Sequence, residues 1–244
     1  MTTQVKTYYE AYWSEEGFNP VCHMRPYLTD IVAKYLKSGS TLLDQGGGDG
    51  RSLGLWAKDK YDYTTTDISA NAITKANDFG LKGQVIEDAA ILPFPDASFD
   101  AVSCFAVMEH LFEPLHAARE AYRVLKPGGY YFVNVPNVVY WRRRIDSILG
   151  RWNPLGDPQS LAQPWRDPHI RFFTIQTMTA MLGEAGYVDV TVTAAGGRLL
   201  PELPVLRHFV DAKNFWKQGP VYKALEKLAP SLLGYEVCGI ARKD

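Results

Sequence analysis

The chain has 244 residues, 46% of them hydrophobic, and its 26 Lys and Arg against 27 Asp and Glu leave a formal charge of −1. That length suffices for one α/β domain with a sizeable core, and so balanced a charge gathers no polyanion, which excludes nucleic acid as the expected partner. Cys22, Cys104 and Cys238 have neither disulfide nor metal-ligand spacing, and no apolar signal core or membrane-length run is present; the expectation is a cytoplasmic protein with no membrane span and no metal site.

In chain order, Tyr8, Tyr9, Tyr12 and Trp13 fall at i, i+1, i+4 and i+5 and predict an aromatic face on an amino-terminal helix. Strands are expected at 41–44, 63–68, 84–87, 101–106 and 130–135, separated by segments of helical spacing. That alternation implies a parallel sheet with right-handed crossovers. Between the fourth and fifth strands, Leu115, Ala118, Ala121, Tyr122 and Leu125 mark one face of a helix that Pro127-Gly128-Gly129 should stop. Trp141-Arg142-Arg143-Arg144 follows the fifth strand. It is either a solvated helix face or an anion-binding group. Residues 150–168 read as a long loop at the carboxyl edge of the sheet, where open α/β sheets bind ligands. His169 then precedes a helix for which Thr174 is the expected N-cap. Strands at 188–193 and 235–241 enclose an insertion at about 198–233, in which Val221, Tyr222, Leu225 and Leu228 describe a helical face. That face either packs on the sheet or caps a pocket.

The run Asp44-Gln45-Gly46-Gly47-Gly48-Asp49-Gly50 joins an apolar strand to a helix through a turn almost without side chains. Glycine supplies positive φ and removes the Cβ that would block a ligand, and a helix start offers unpaired N–H groups. The dinucleotide fingerprint fails because the third glycine position holds Arg51 or Leu53, according to register, and no Gly-Lys-Ser/Thr follows to make a P-loop. A nicotinamide oxidoreductase is therefore disfavoured. Asp67 ends the second strand about 20 residues further on, the separation at which a carboxylate in a βαβ unit reaches a ribose diol.

Four segments occur in one order: Asp44-x-Gly46-x-Gly48-x-Gly50, the strand ending at Asp67, the run 87–102 containing Asp88, and Glu120 through Gly129. Over about a hundred residues the chain resembles the class I S-adenosylmethionine-dependent methyltransferases. The resemblance implies a Rossmann-like, doubly wound seven-stranded sheet, mostly parallel with an antiparallel last strand and helices on both faces. It implies one such domain over 1–244, with residues 1–30 as a helical cover and about 198–233 as a helical cap. S-adenosyl-L-methionine is the implied cofactor and S-adenosyl-L-homocysteine the product. Asp44, Gln45, Gly46, Gly48, Asp67, Ile68, Asp88 and Ala89 are the implied cofactor residues, with Phe105 either against the adenine or in the core. The implied reaction is methyl transfer to oxygen or nitrogen of a small-molecule acceptor. His110 and His169 are its candidate catalytic groups, and Tyr12, Glu109 and Arg142 its substrate-facing ones. A narrower likeness, of Val135-Pro136-Asn137, Trp141 to Arg144 and 165–174 to the MetW proteins, implies an alternative: a cofactor-binding accessory protein acting on a partner enzyme.

Overall fold

Strand β1 (Thr41–Gln45) is short and buried from Leu42 on, as a strand covered on both faces must be. It pairs in parallel with β2 (Asp62–Asp67) on one side and β4 (Phe99–Phe105) on the other. The computed structural model describes residues 3–14, 25–151, 168–196 and 220–244. Among them, β3 (Lys82–Val85), β5 (Leu125–Pro136), β6 (Val188–Ala195) and β7 (Glu236–Arg242) complete a seven-stranded sheet of order β3-β2-β1-β4-β5-β7-β6. The last strand, β7, runs antiparallel to both β5 and β6. The order reverses between β1 and β4, and in open α/β sheets the ligand crevice lies at the carboxyl ends of such a pair.

The helices are α1 (Thr3–Trp13), α2 (Pro26–Tyr35), α3 (Gly54–Ala57), α4 (Ala70–Asp78), α5 (Pro114–Val124), α6 (Trp141–Ile148), α7 (Ile175–Glu184), α8 (Pro220–Leu228) and α9 (Pro230–Leu233). Side chains alternate along a strand, so neighbours in sequence enter different cores. Leu43, Val102, Tyr131 and Val133 join one cluster with Ala117, Ala121 and Val124 of α5 and Met178 and Leu182 of α7. Leu42, Ala101 and Phe132 join the other with Val32 of α2 and Ala57 of α3. Thr174 is the N-cap of α7, in a reciprocal capping box with Thr177.

Three expectations are corrected. Helix α5 passes into β5 at Leu125, and Pro127 to Gly129 form an irregularity inside that strand, where the register against β4 shifts between Phe99 and Ala101. Edge strand β3 lies two residues earlier than its apolar signal, because most of its residues face solvent and carry no alternation. On α8 the buried positions are Tyr222 and Glu226, while Leu225 and Leu228 are exposed; Tyr222 is held by its hydroxyl, which donates to the Leu233 carbonyl at 2.7 Å. Cys22, Trp165, most of the 150–168 loop and the first part of the 198–233 insertion lie outside the described residues. Among the described residues no helix is long and apolar enough to cross a membrane.

Candidate active site

The glycine turn leaves β1 with φ of +75° at Gly46 and +59° at Gly48, a region that L side chains rarely enter. Its two walls allow no side chain either. A Cβ on Gly46 would lie 2.7 Å from Val107, and one on Gly48 would lie 2.4 Å from the indole of Trp13. Beneath the turn, the Asp44 carboxylate accepts from the Tyr63 hydroxyl at 2.7 Å and the Ser103 hydroxyl at 2.8 Å. A Cβ on Gly47 would fall 2.4 Å from that carboxylate. Asp44 thus shapes the turn from below, and burial raises its pKa to about 6 against the lowering effect of the two hydroxyls.

Gln45, one residue on, points to the opposite face of the sheet. Its amide donates to the carbonyls of Ala89 at 2.5 Å and Ala117 at 3.3 Å, and its oxygen accepts from Tyr131. This corrects its assignment as a cofactor contact: strand parity sends it into the core, where it ties the Asp88 loop to β1. Phe105 is partly buried and packs against the cluster that contains Leu42 and Phe132.

Asp67, at the end of β2, accepts the Gly48 N–H at 3.1 Å and the Ser69 N–H at 2.9 Å. It is only 9% exposed, and burial raises its pKa to about 6 although those backbone donors oppose the shift. Each carboxylate oxygen has two acceptor positions, so both retain capacity for a diol. Ile68 and Ala89 are buried beside each other's segments in one cluster, and Asp88 forms an Asx turn to the Ala90 N–H at 2.8 Å. The turn, Asp67 and the Ile68 to Ala89 edge form a bed at the carboxyl ends of β1 and β2.

Helix α1 covers this bed. Glu10 caps the start of α4, accepting from the Ala70 N–H at 2.8 Å, the Asn71 N–H at 3.1 Å and the Ser69 hydroxyl at 2.8 Å. Lys75 of α4 donates back to the Trp13 carbonyl at 2.8 Å. Tyr12 stands between Tyr8 and Trp13 in the aromatic face of the helix. Tyr9 bridges the site: its hydroxyl pKa is pushed up by burial, then by Tyr8, and then by the charges of Glu109 and Asp67. Glu10 carried no sequence signal, since a lone acidic residue on a helix resembles any solvated position.

Across the edge, Ala106 takes a left-handed φ of +56° and gives its N–H to the carbonyl of Asn134 at 3.0 Å and to its side-chain oxygen at 3.1 Å. That reversal brings Val107 against Gly46 and delivers the 3-10 turn Met108–His110. No local pattern marks a left-handed alanine. His110 and His169, 59 positions apart, meet with ring centroids 4.2 Å apart. Both face Glu109, whose Oε1 lies 4.0 Å from His110 Nε2 and 3.9 Å from His169 Nε2. The contact is built by the backbone: the Glu109 carbonyl accepts the N–H groups of Ile170 at 2.9 Å and Arg171 at 3.0 Å. Glu109 is 2% exposed and its pKa is raised to about 8 by burial, with Arg25 opposing. Arg142, by contrast, lies on the outer face of α6, ion-paired with Asp146 at 3.8 Å. The buried arginine is Arg143, which donates to the Asn137 carbonyl at 2.6 Å and stacks on Tyr235.

Residues 43–133 match the family described as Methyltransferase domain. The chain is 34% identical over 131 residues to 27-O-demethylrifamycin SV methyltransferase of Amycolatopsis mediterranei, covering 50% of this chain and 48% of that protein. It is 30% identical over 134 residues to the ubiquinone biosynthesis O-methyltransferase of Xanthomonas oryzae, covering 52% and 56%. The chain spans about half the length of the curated relatives it matches. Among solved structures, the SAM-dependent methyltransferases of Thermotoga maritima and Archaeoglobus fulgidus share the fold, each with a TM-score of 0.63 at 20% identity. The alignments cover 99% of this chain and 97% of the first, and 97% of this chain and 99% of the second. These relatives are named as methyltransferases, and the accessory-protein alternative gains no support from them. Residues 43–133, the part of the chain that the methyltransferase-domain model matches, hold the glycine turn and Asp67, and the sheet is of the Rossmann-like methyltransferase fold.

Proposed function

We propose that the protein methylates a small-molecule acceptor at oxygen or nitrogen, with residues 1–244 working as one domain. The observation that carries this reading is the Glu109, His110 and His169 group, which stands at the same sheet edge as the glycine turn. The Xanthomonas relative is named as an O-methyltransferase, and an oxygen nucleophile needs help to lose its proton, which is what such a group provides.

S-adenosyl-L-methionine, when bound, supplies a methyl carbon on a sulfonium that departs as a neutral thioether. The chain's own part is positioning and the exclusion of water. Gly46 and Gly48 let the ligand lie on the backbone, Asp67 takes the ribose hydroxyls, and Ile68, Asp88 and Ala89 frame the base. Helix α1, with Tyr12 and Trp13, closes over them. The His110 and His169 imidazoles, backed by Glu109, draw the proton from the acceptor as its electron pair forms the new bond to carbon. The cofactor specificity belongs to one half of the edge and the acceptor chemistry to the other.

Calorimetric titration with S-adenosyl-L-homocysteine, followed by transfer of labelled methyl to a panel of phenols, alcohols and amines, tests the proposal. Micromolar binding and turnover on a hydroxyl or amine acceptor is the expected result. A folded protein that binds neither S-adenosyl-L-homocysteine nor S-adenosyl-L-methionine overturns it.

A further inference from the structure

The Glu109, His110 and His169 group has the form of a metal site, and we propose that it holds one divalent transition-metal ion, of the zinc or cobalt kind, with an open position for the acceptor oxygen. The role of that open position rests on the methyl-transfer reading; binding of the ion does not.

The first argument is spacing. One ligand atom from each residue lies within 4.8 Å of the other two, and the carboxylate is 4.0 and 3.9 Å from the two imidazole nitrogens. Those two separations exceed hydrogen-bond range, so the carboxylate approaches both imidazoles without a hydrogen bond to either. Atoms so placed share a point about 2.5 Å from each, against about 2.0–2.2 Å for nitrogen and oxygen on zinc. A shift of about 0.4 Å per ligand closes the difference, which small side-chain torsions supply.

The second argument is unmet demand on the same carboxylate whose Oε1 faces the two rings. Glu109 Oε2 is buried and has no hydrogen-bond partner among the described residues. A carboxylate in that position costs several kcal/mol unless it is paired. A dication between Glu109 and the two rings supplies the pairing.

The third is orientation. A carbonyl can only accept, so the contact of 3.3 Å between His110 Nδ1 and the Pro168 oxygen places the proton on Nδ1. In the neutral ring Nε2 then turns its lone pair toward Glu109. Metal-binding histidines are held this way, by a carbonyl on the other nitrogen. The backbone bonds from Ile170 and Arg171 to the Glu109 carbonyl fix the second ring's segment in the same frame.

Two imidazoles and one carboxylate form a borderline donor set that favours zinc, cobalt or ferrous ions over calcium or magnesium. Three protein ligands leave at least one position open. With the ion bound, both imidazoles are occupied as ligands and the ion would take over their part in the proton step, because an acceptor hydroxyl on the open position would have its pKa lowered. Its proton passes to solvent water, the oxygen's electron pair forms the bond to the methyl carbon, and the carbon–sulfur bond breaks with its pair left on sulfur.

The test titrates chelator-treated full-length protein with Zn²⁺ by calorimetry and with Co²⁺ by visible absorption, in parallel with S-adenosyl-L-homocysteine. The expected result is one equivalent of either metal per chain, a Co²⁺ spectrum of low coordination number, and a loss of at least about tenfold in metal affinity in both His169→Ala and Glu109→Gln. His169→Ala is the decisive variant if Glu109→Gln fails to fold, because His169 is partly exposed. Unchanged S-adenosyl-L-homocysteine binding in His169→Ala shows that the cofactor bed is intact. Metal binding that is absent, or that survives both substitutions, overturns the proposal. Metal binding without any cofactor binding would leave the ion site standing and remove the methyl-transfer reading.

Discussion

Two halves of one sheet edge are made in opposite ways. The half proposed for the cofactor, from Gly46 to Asp67, is built largely of backbone: left-handed glycines, N–H groups and one carboxylate that collects them. The acceptor half, from Ala106 to His110 with His169, is built of side chains from segments 59 positions apart. A site made of backbone demands particular residue types at fixed spacing and so leaves a contiguous trace. A site made of side chains leaves only candidates until the fold joins them.

The sharpest way to break the first half is to give its turn a side chain. Gly48→Ala places a methyl 2.4 Å from the Trp13 ring at a φ of +59°. Left-handed strain of about 1–2 kcal/mol and overpacking of about 1–3 kcal/mol are expected together, read as a loss of stability in urea and as loss of S-adenosyl-L-homocysteine binding. Gly80 is the control, since it has a φ of +73° but nothing within 4 Å of an added methyl. Gly80→Ala should show the strain alone and bind the cofactor normally. Equal effects at both positions would mean that α1 does not press on the turn.

The same contrast explains what could be read in advance. The parallel core was legible because β1, β2, β4 and β5 carry apolar or β-branched runs at the spacing of βα units. The place of Asp67 at the end of β2 is legible because its distance from the turn is set by one strand and one helix. Gln45 was misread because proximity in sequence to a glycine turn says nothing of which face a residue takes, and strand parity sent it to Ala89 and Ala117. His110 and His169 stand out singly in the sequence, but their meeting does not, because it depends on two backbone hydrogen bonds to Glu109. The metal-ligand spacing sought along the chain was therefore absent while the cluster exists in space.

A smaller expected effect sharpens the assignment of Asp67. Asp67→Asn should cost about 1.5–3 kcal/mol of cofactor binding, roughly 10- to 100-fold, as expected for hydrogen bonds to a charged group. With its pKa raised to about 6 by burial, wild-type affinity should rise with pH through that value as the carboxylate ionises, and the Asn variant should be flat. Stability has the opposite sign. The folded state holds the proton more tightly than the unfolded chain, so the contribution of Asp67 falls as pH rises from about 4 to about 6, by of order 1–3 kcal/mol. Asp67→Asn should therefore gain stability relative to wild type across that window. A pH-independent wild-type affinity would detach Asp67 from the ribose.

The link between the covering helix and the bed is next. Glu10→Ala removes the acceptor for two N–H groups at the start of α4, and capping substitutions cost about 0.5–2 kcal/mol. Faster proteolysis of the amino-terminal segment and faster cofactor release are expected, with the glycine turn itself unchanged. If release is unaltered, α1 is a fixed part of the core and not a cover over the ligand.

The smallest effect concerns the acceptor half. Arg142 is 42% exposed and its partner Asp146 is an i+4 neighbour, a pair worth about 0.3–0.5 kcal/mol. Arg143, one residue later, is 4% exposed and bonded to the Asn137 carbonyl. Arg142→Ala should leave stability and kcat/KM within about twofold of wild type, while Arg143→Ala loosens the junction between β5 and α6. The measurement that matters is kcat/KM for the identified acceptor in Arg142→Ala. A fall of more than about tenfold, about 1.4 kcal/mol in transition-state stabilisation, would restore Arg142 as an anion contact and make the acceptor phosphorylated or carboxylated. An unchanged value would leave acceptor chemistry with Glu109, His110 and His169, the part of the edge that the fold alone brings together.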